Sequence, residues 1–127
     1  MSTNLYFHHP ACLAHDPRAR MPGHPDTPER LVALERYLEG QGWLGWERRA
    51  APAASEEQLE LVHSARHVRA VRELCESGGG EIDADTYVGE TSYRAALHAA
   101  GGACAMVEVV DEIFRPTHVA SQRADGF

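Results

Sequence analysis

The sequence predicts an α/β fold built on a parallel sheet, and three stretches carry that expectation. Leu5-Tyr6-Phe7 is a short apolar strand, Pro28 to about Glu39 is a helix, and Trp43 to Ala51 is a second strand candidate. Strand, helix and strand in that order suggest a parallel βαβ unit. In open sheets of this kind, ligands bind in loops leaving the carboxyl ends of the strands. The His- and Pro-rich segment after Phe7 is such a loop.

The helix starts at Thr27, an expected N-cap, with Pro28 at the first helical position, where its missing N–H costs nothing. Leu31, Leu34 and Leu38 recur on one face, and Gly40 with Gly42 ends the run. Within the second strand the likeliest part is Trp46 to Ala50, closed by Pro52. Ser55-Glu56-Glu57-Gln58 reads as a capping box opening a short helix to about Val62. A further helix spans about Ala65 to Ser77 with Val68, Val71, Leu74 and Cys75 inward, and Gly78-Gly79-Gly80 breaks it. Ile82 to Val88 is expected to be a loop. Thr91-Ser92 opens the longest helix, to about Phe114. Between Ala95 and Val107 only His98 is strongly polar, which predicts burial nearly all round. Gly101 and Gly102 each weaken that helix by roughly 1 kcal/mol relative to alanine, which makes sense if another backbone packs closely there.

A chain of 127 residues and 14.0 kDa is one domain or part of one. Its 43% hydrophobic and 24% charged residues are those of an ordinary globular protein. The net charge of -7 argues against a duplex nucleic-acid partner and weakly favours cationic small molecules or basic peptides. All basic side chains apart from histidine are arginine. Cys12, Cys75 and Cys104 are odd in number, widely spaced and without a CxxC pair, so a zinc knuckle or dithiol site is not expected. The amino terminus has no signal-peptide pattern, and no apolar run reaches the roughly 20 residues a membrane span needs. Cytoplasmic residence and the absence of a membrane partner are the resulting expectations.

Four segments in order resemble the zinc-dependent histone deacetylase superfamily, including its bacterial acetoin-utilisation and acetylpolyamine amidohydrolase relatives. They are Gly23-His24-Pro25-Asp26-Thr27-Pro28-Glu29-Arg30-Leu31, Leu61 to Val68, Glu81 to Tyr87 and the Ala95 to Ala103 helix. Class II-like bacterial members are the nearest in pattern. The resemblance runs from about Leu5 to Val110 and implies the amino-terminal part of a three-layer α/β/α arginase/deacetylase-like fold. It also implies that the chain is truncated before the catalytic centre, because Arg123 to Phe127 falls where that family begins its Arg-Pro-Pro-Gly-His-His segment. The zinc ligands, the catalytic histidine pair and the oxyanion-stabilising residue of the family have no counterparts here. No catalytic residue and no metal ligand is therefore expected within this chain, which alone is predicted inactive.

The resemblance assigns roles to few residues. Arg30 matches an arginine facing the cavity behind the metal, where it helps acetate leave; a guanidinium suits a carboxylate bidentately. The plainer reading pairs it with Glu29, Asp26 or a backbone carbonyl. Asp83 and Asp85 lie where the family places a rim aspartate that accepts substrate amide N–H groups, with Asp85 favoured because it directly precedes Thr86. The alternative makes both solvated turn residues capping the next helix. His24 and Asp26 border the expected mouth, where a direct catalytic role for His24 is weighed against the favoured reading, that it only fixes the turn before Pro25. His63 and His67 form an i, i+4 pair read as structural, without the glutamate of a zinc-protease motif. His8-His9 and Pro22-Gly23-His24-Pro25 are both incomplete as catalytic histidine pairs.

The leading expectation is thus a fragment of a deacetylase or amidohydrolase, with zinc in the complete protein and an acetylated amine or acetyl-lysine as substrate. Two other classes remain open. One is a non-catalytic interaction module, possible as a homo-oligomer, because a truncated parallel sheet leaves edges and apolar surface. The other is a small metal-binding protein using His63, His67 and a nearby carboxylate.

Overall fold

A computed structural model describes residues 4–115. The elements run β1 (Leu5–His8), two 3₁₀ turns (Pro10–Ala14 and Pro17–Ala19), α1 (Pro28–Gly40), β2 (Glu47–Ala50) and α2 (Glu56–Glu60). They continue as α3 (Ala65–Glu76), β3 (Gly80–Asp83), β4 (Thr86–Val88) and α4 (Ser92–Phe114). The parallel pair is present, with Leu5 opposite Glu47 and His8 opposite Ala50. The architecture is α/β, as expected.

Local rules account for most boundaries. Ser55 Oγ accepts from the Gln58 amide while Gln58 Oε1 accepts from the Ser55 amide, which completes the capping box. Ser64 Oγ caps α3 on the His67 amide. At its other end Gly78 and Gly79 take φ of 106° and 93°, and their amides close onto Cys75 and Leu74 carbonyls. Only a residue without Cβ accepts that left-handed exit readily. Thr27 makes no side-chain cap bond, in contrast to expectation, though its position ahead of Pro28 does begin α1.

Three expectations are corrected. Trp43 lies outside the second strand: residues Gly42–Gly45 form a left-handed turn, with φ of 61°, 56°, 53° and 72°. A non-glycine residue costs roughly 1–2 kcal/mol in that region. For Trp43 this is offset by packing, its ring 5.4 Å from that of Tyr6 with the Arg48 guanidinium 4.6 Å above it. Residues Ile82 to Val88 are not a loop but most of an antiparallel hairpin, β3 to β4, with Asp83 opposite Thr86. Finally, α4 is not buried all round. Ala95, Gly101 and Gly102 are buried, whereas Ala96, Ala99, Ala103 and Met106 are exposed, and Val107 is 69% exposed. Its packing partners among the described residues, β1, the 10–14 turn and α3, leave the other face uncovered.

The core is small and alanine-rich. Ala11, Ala51, Ala54 and Ala95 are buried with Leu38, Val68 and Val88, and Cys75 is 2% exposed. Small residues let backbones approach, and the tightest approach is at Gly101, against Pro52 and Ala54. The Ala54 amide there donates to the Leu97 carbonyl of α4 at 2.9 Å. Beside it His98 Nδ1 lies 2.8 Å from the Ala51 carbonyl oxygen. The packing reason anticipated for the paired glycines is thus met at Gly101. The loss of periodicity after Pro116 predicts fraying from Arg115 onward, and that stretch, Arg115 apart, lies outside the described residues.

Candidate active-site front

The carboxyl end of β1 feeds the loop that builds the site. His9 caps the Pro10–Ala14 turn, its Nδ1 accepting from the Ala11 amide at 3.0 Å. The turn carries Cys12 towards α1 and α4. Burial, followed by the Glu35 carboxylate, pushes the Cys12 thiol above its ordinary value, so it is not an activated nucleophile. Asp16 then caps the Pro17–Ala19 turn, and its bonds with Arg18 hold its carboxyl down at about 2.

His15 links three segments. Its Nδ1 lies 2.7 Å from Ser92 Oγ at the start of α4, and its Nε2 lies 3.2 Å from Asp26 Oδ2. Ser92 Oγ also accepts the Gly89 amide, and Thr91 donates to the Ala14 carbonyl. Ser92, His15 and Asp26 thus stand in the order of a nucleophilic triad. Ser92 is 6% exposed and already engaged by a backbone N–H, so the chain of bonds is structural.

Asp26 also pairs with Arg30 one helical turn on, at 2.5 Å. Of the partners anticipated for Arg30, Asp26 is the one observed. The Arg30 side chain is 69% exposed and stands on the edge of a cleft of about 380 Å³ that Cys12, His15, Asp26, Leu31 and Leu34 also line. A second, mostly apolar cleft of about 270 Å³ shares Cys12 and His15 and reaches Val71, Val88 and Ala95.

The two hairpin aspartates differ. Asp83 Oδ1 accepts the Asp85 amide at 3.2 Å, and bonding from Thr86 and then from Asp85 lowers the Asp83 carboxyl. Asp83 therefore closes its own turn. The Asp85 carboxylate takes the Thr86 hydroxyl at 3.4 Å and also engages the Asp83 side chain, and Asp85 lines a groove with His24, Asp26 and Tyr87. Neither caps α4, whose N-cap Thr91 has no side-chain cap bond. That part of the alternative reading is corrected.

His63 and His67 are exposed, with ring centres 5.2 Å apart, and no third ligand joins them. Among the described residues no three His, Cys, Asp or Glu side chains converge to hold a metal ion. The described residues do not make a zinc site. Sequence reasoning missed the linking roles of His15 and Ser92, because residues 77 apart in sequence leave no local signal of their contact.

These features define a class: an open α/β unit whose loops gather at the carboxyl end of the first strand. Residues 24–127 match the histone deacetylase domain, and the chain belongs to that family. It is 35% identical over 89 residues to a histone deacetylase-like amidohydrolase of Pseudomonas aeruginosa, covering 69% of this chain and 23% of that protein. An uncharacterised protein of Synechocystis is 33% identical over 110 residues, covering 84% of this chain and 33% of its own length. The crystal structure of the HDA15 HD domain superposes with a TM-score of 0.69 at 30% identity, over 77% of this chain and 28% of that one. The chain therefore spans between about a quarter and a third of these relatives.

Proposed function

We propose that this chain is the amino-terminal part of a zinc-dependent deacetylase or amidohydrolase that releases acetate and a free amine from acetyl-lysine or acetylpolyamine-type amides. Zinc and the proton-transfer groups belong to the complete protein, and the 127-residue chain alone is inactive. Asp85 serves as the substrate-rim carboxylate, and Arg30 borders the cavity that receives acetate. The observation that carries this reading is the convergence of the loop after β1, the start of α1 and the β3–β4 turn around adjoining clefts. Asp83 accepts the Asp85 amide and so closes its own turn, and Asp85, whose carboxylate has room for a further donor beside Thr86 and Asp83, is the one assigned to a substrate N–H. A cytoplasmic location belongs to this proposal, and the free Cys12, Cys75 and Cys104 are compatible with it.

The test is acetate release from an acetyl-lysine peptide and from an acetylated polyamine by the natural full-length product supplied with zinc. A charge-assisted hydrogen bond contributes about 1.5–3 kcal/mol, so Asp85→Ala is expected to lower kcat/KM for the peptide roughly 10- to 100-fold. Absence of acetate release by the unaltered protein would remove the proposal. The uncovered apolar stripe of Met106, Val107, Val110 and Ile113 on α4 favours the interaction-module reading as the second choice.

A further inference from the structure

His24 joins two loops that the sequence separates by 61 positions. Its Nδ1 accepts the Asp26 amide at 3.0 Å, and its Nε2 lies 2.8 Å from the Asp85 carbonyl oxygen. A ring nitrogen that accepts a proton carries none of its own, and a carbonyl oxygen can only accept. Both contacts together therefore require one form of the ring, with Nδ1 bare and the proton on Nε2. Gly23, at φ 84°, makes the tight turn immediately before it.

The consequence falls on Asp85. Its amide is held by Asp83 Oδ1 and its carbonyl by the His24 ring, so both polar backbone groups of that residue are tied. Its side chain, in contact with Thr86 and Asp83, is part of the groove lining. We infer that His24 is a positioning residue that holds the Asp85 turn against the loop carrying Asp26 and Arg30, and so sets where the rim carboxylate meets a peptide-like substrate. This rests on the rim role proposed above for Asp85. In this role His24 acts through the Asp85 turn and not on the reacting atoms. Because Asp26 bonds in turn to His15 and Arg30, the same ring also keeps the rim in register with the cleft behind it.

Two measurements test the inference. Long-range proton–nitrogen spectra of the full chain, recorded at about pH 8, above the ordinary imidazole range, are expected to show His24 protonated at Nε2 and bare at Nδ1. The opposite form, or rapid averaging of the two, overturns the clamp whatever the protein's activity. In the natural full-length product, one lost hydrogen bond of about 1.4 kcal/mol corresponds to tenfold. His24→Ala is therefore expected to raise KM for an acetyl-lysine peptide roughly tenfold at unchanged kcat. KM for an acetylated polyamine, which has no backbone amides, should not move. His24→Gln, whose amide N–H can reach the Asp85 carbonyl, should restore the peptide KM. If Asp85→Ala impairs the peptide reaction and His24→Ala does not, the positioning role is refuted. If Asp85→Ala itself has no effect, the rim reading fails, while the spectra still decide whether the clamp exists.

Discussion

Gly101→Ala offers the sharpest test of the packing. In an open helix this change stabilises by about 1 kcal/mol, because glycine has more freedom to lose on folding. Here the sign reverses. An added Cβ would fall 2.7 Å from the Ala54 amide nitrogen and press still harder on the Pro52 carbonyl oxygen, both backbone atoms. Relief requires residues 52–54 to lift from α4, which breaks the Ala54-to-Leu97 bond and disturbs the His98 contact with Ala51. A buried amide left without a partner costs about 1–3 kcal/mol, and overpacking adds about 1–3 kcal/mol. Set against the 1 kcal/mol gained in propensity, the net loss is about 1–5 kcal/mol. Gly40→Ala is the control: nothing lies within 4 Å of its added Cβ, and a gain of up to about 1 kcal/mol follows. Urea unfolding followed by circular dichroism reads both. A Gly101→Ala midpoint at or above that of the unaltered protein would refute the close approach of the 52–54 segment.

Other outcomes follow from single contacts. His9 stacks on His98 with ring centres 3.5 Å apart, and partial burial, then His98 and Arg94, pushes its titration below the ordinary imidazole value. The unfolded chain then takes up the proton at the higher pH, so His9's contribution is complete above about pH 6.5 and lost as pH falls below it. His9→Asn, which can still accept from the Ala11 amide but does not titrate, should flatten the fall in urea midpoint between about pH 7 and 5. An unchanged slope would exclude His9 as its source. Ser55→Ala removes one half of the capping box and should cost about 1 kcal/mol in the same unfolding assay. Arg30→Ala removes an exposed pair and should change stability by less than about 1 kcal/mol. A larger loss would mean that Arg30 holds the fold rather than the cleft.

Much of the fold was legible because its signals are local. The Ser55 box, Pro28 after Thr27, the glycines after Ser77 and the periodicity of α3 and α4 act within one or two turns of chain. Their effect survives almost any tertiary setting. The family pattern was legible for a similar reason, since four short motifs in order need no coordinates. The left-handed turn at Trp43 was not, because its strain of non-glycine residues is offset only by Tyr6 and Arg48 around the ring. Nor was the hairpin, whose strands of four and three residues are too short to show alternation.

The candidate site divides along the same line. Sequence alone determined which residues are present to work with: Arg30 at a helix start, two aspartates around a turn, and a His-Pro-Asp loop after a strand. Tertiary structure decided which of them meet. It joined His24 to Asp85 and His15 to Ser92, and it bonded Asp83 into its own turn. It also left one face of α4 bare although its composition reads as core. The physical reason is distance along the chain. Propensity and capping energies reach across a few residues, whereas a contact spanning 61 or 77 positions exists only once packing has set the elements that carry its ends.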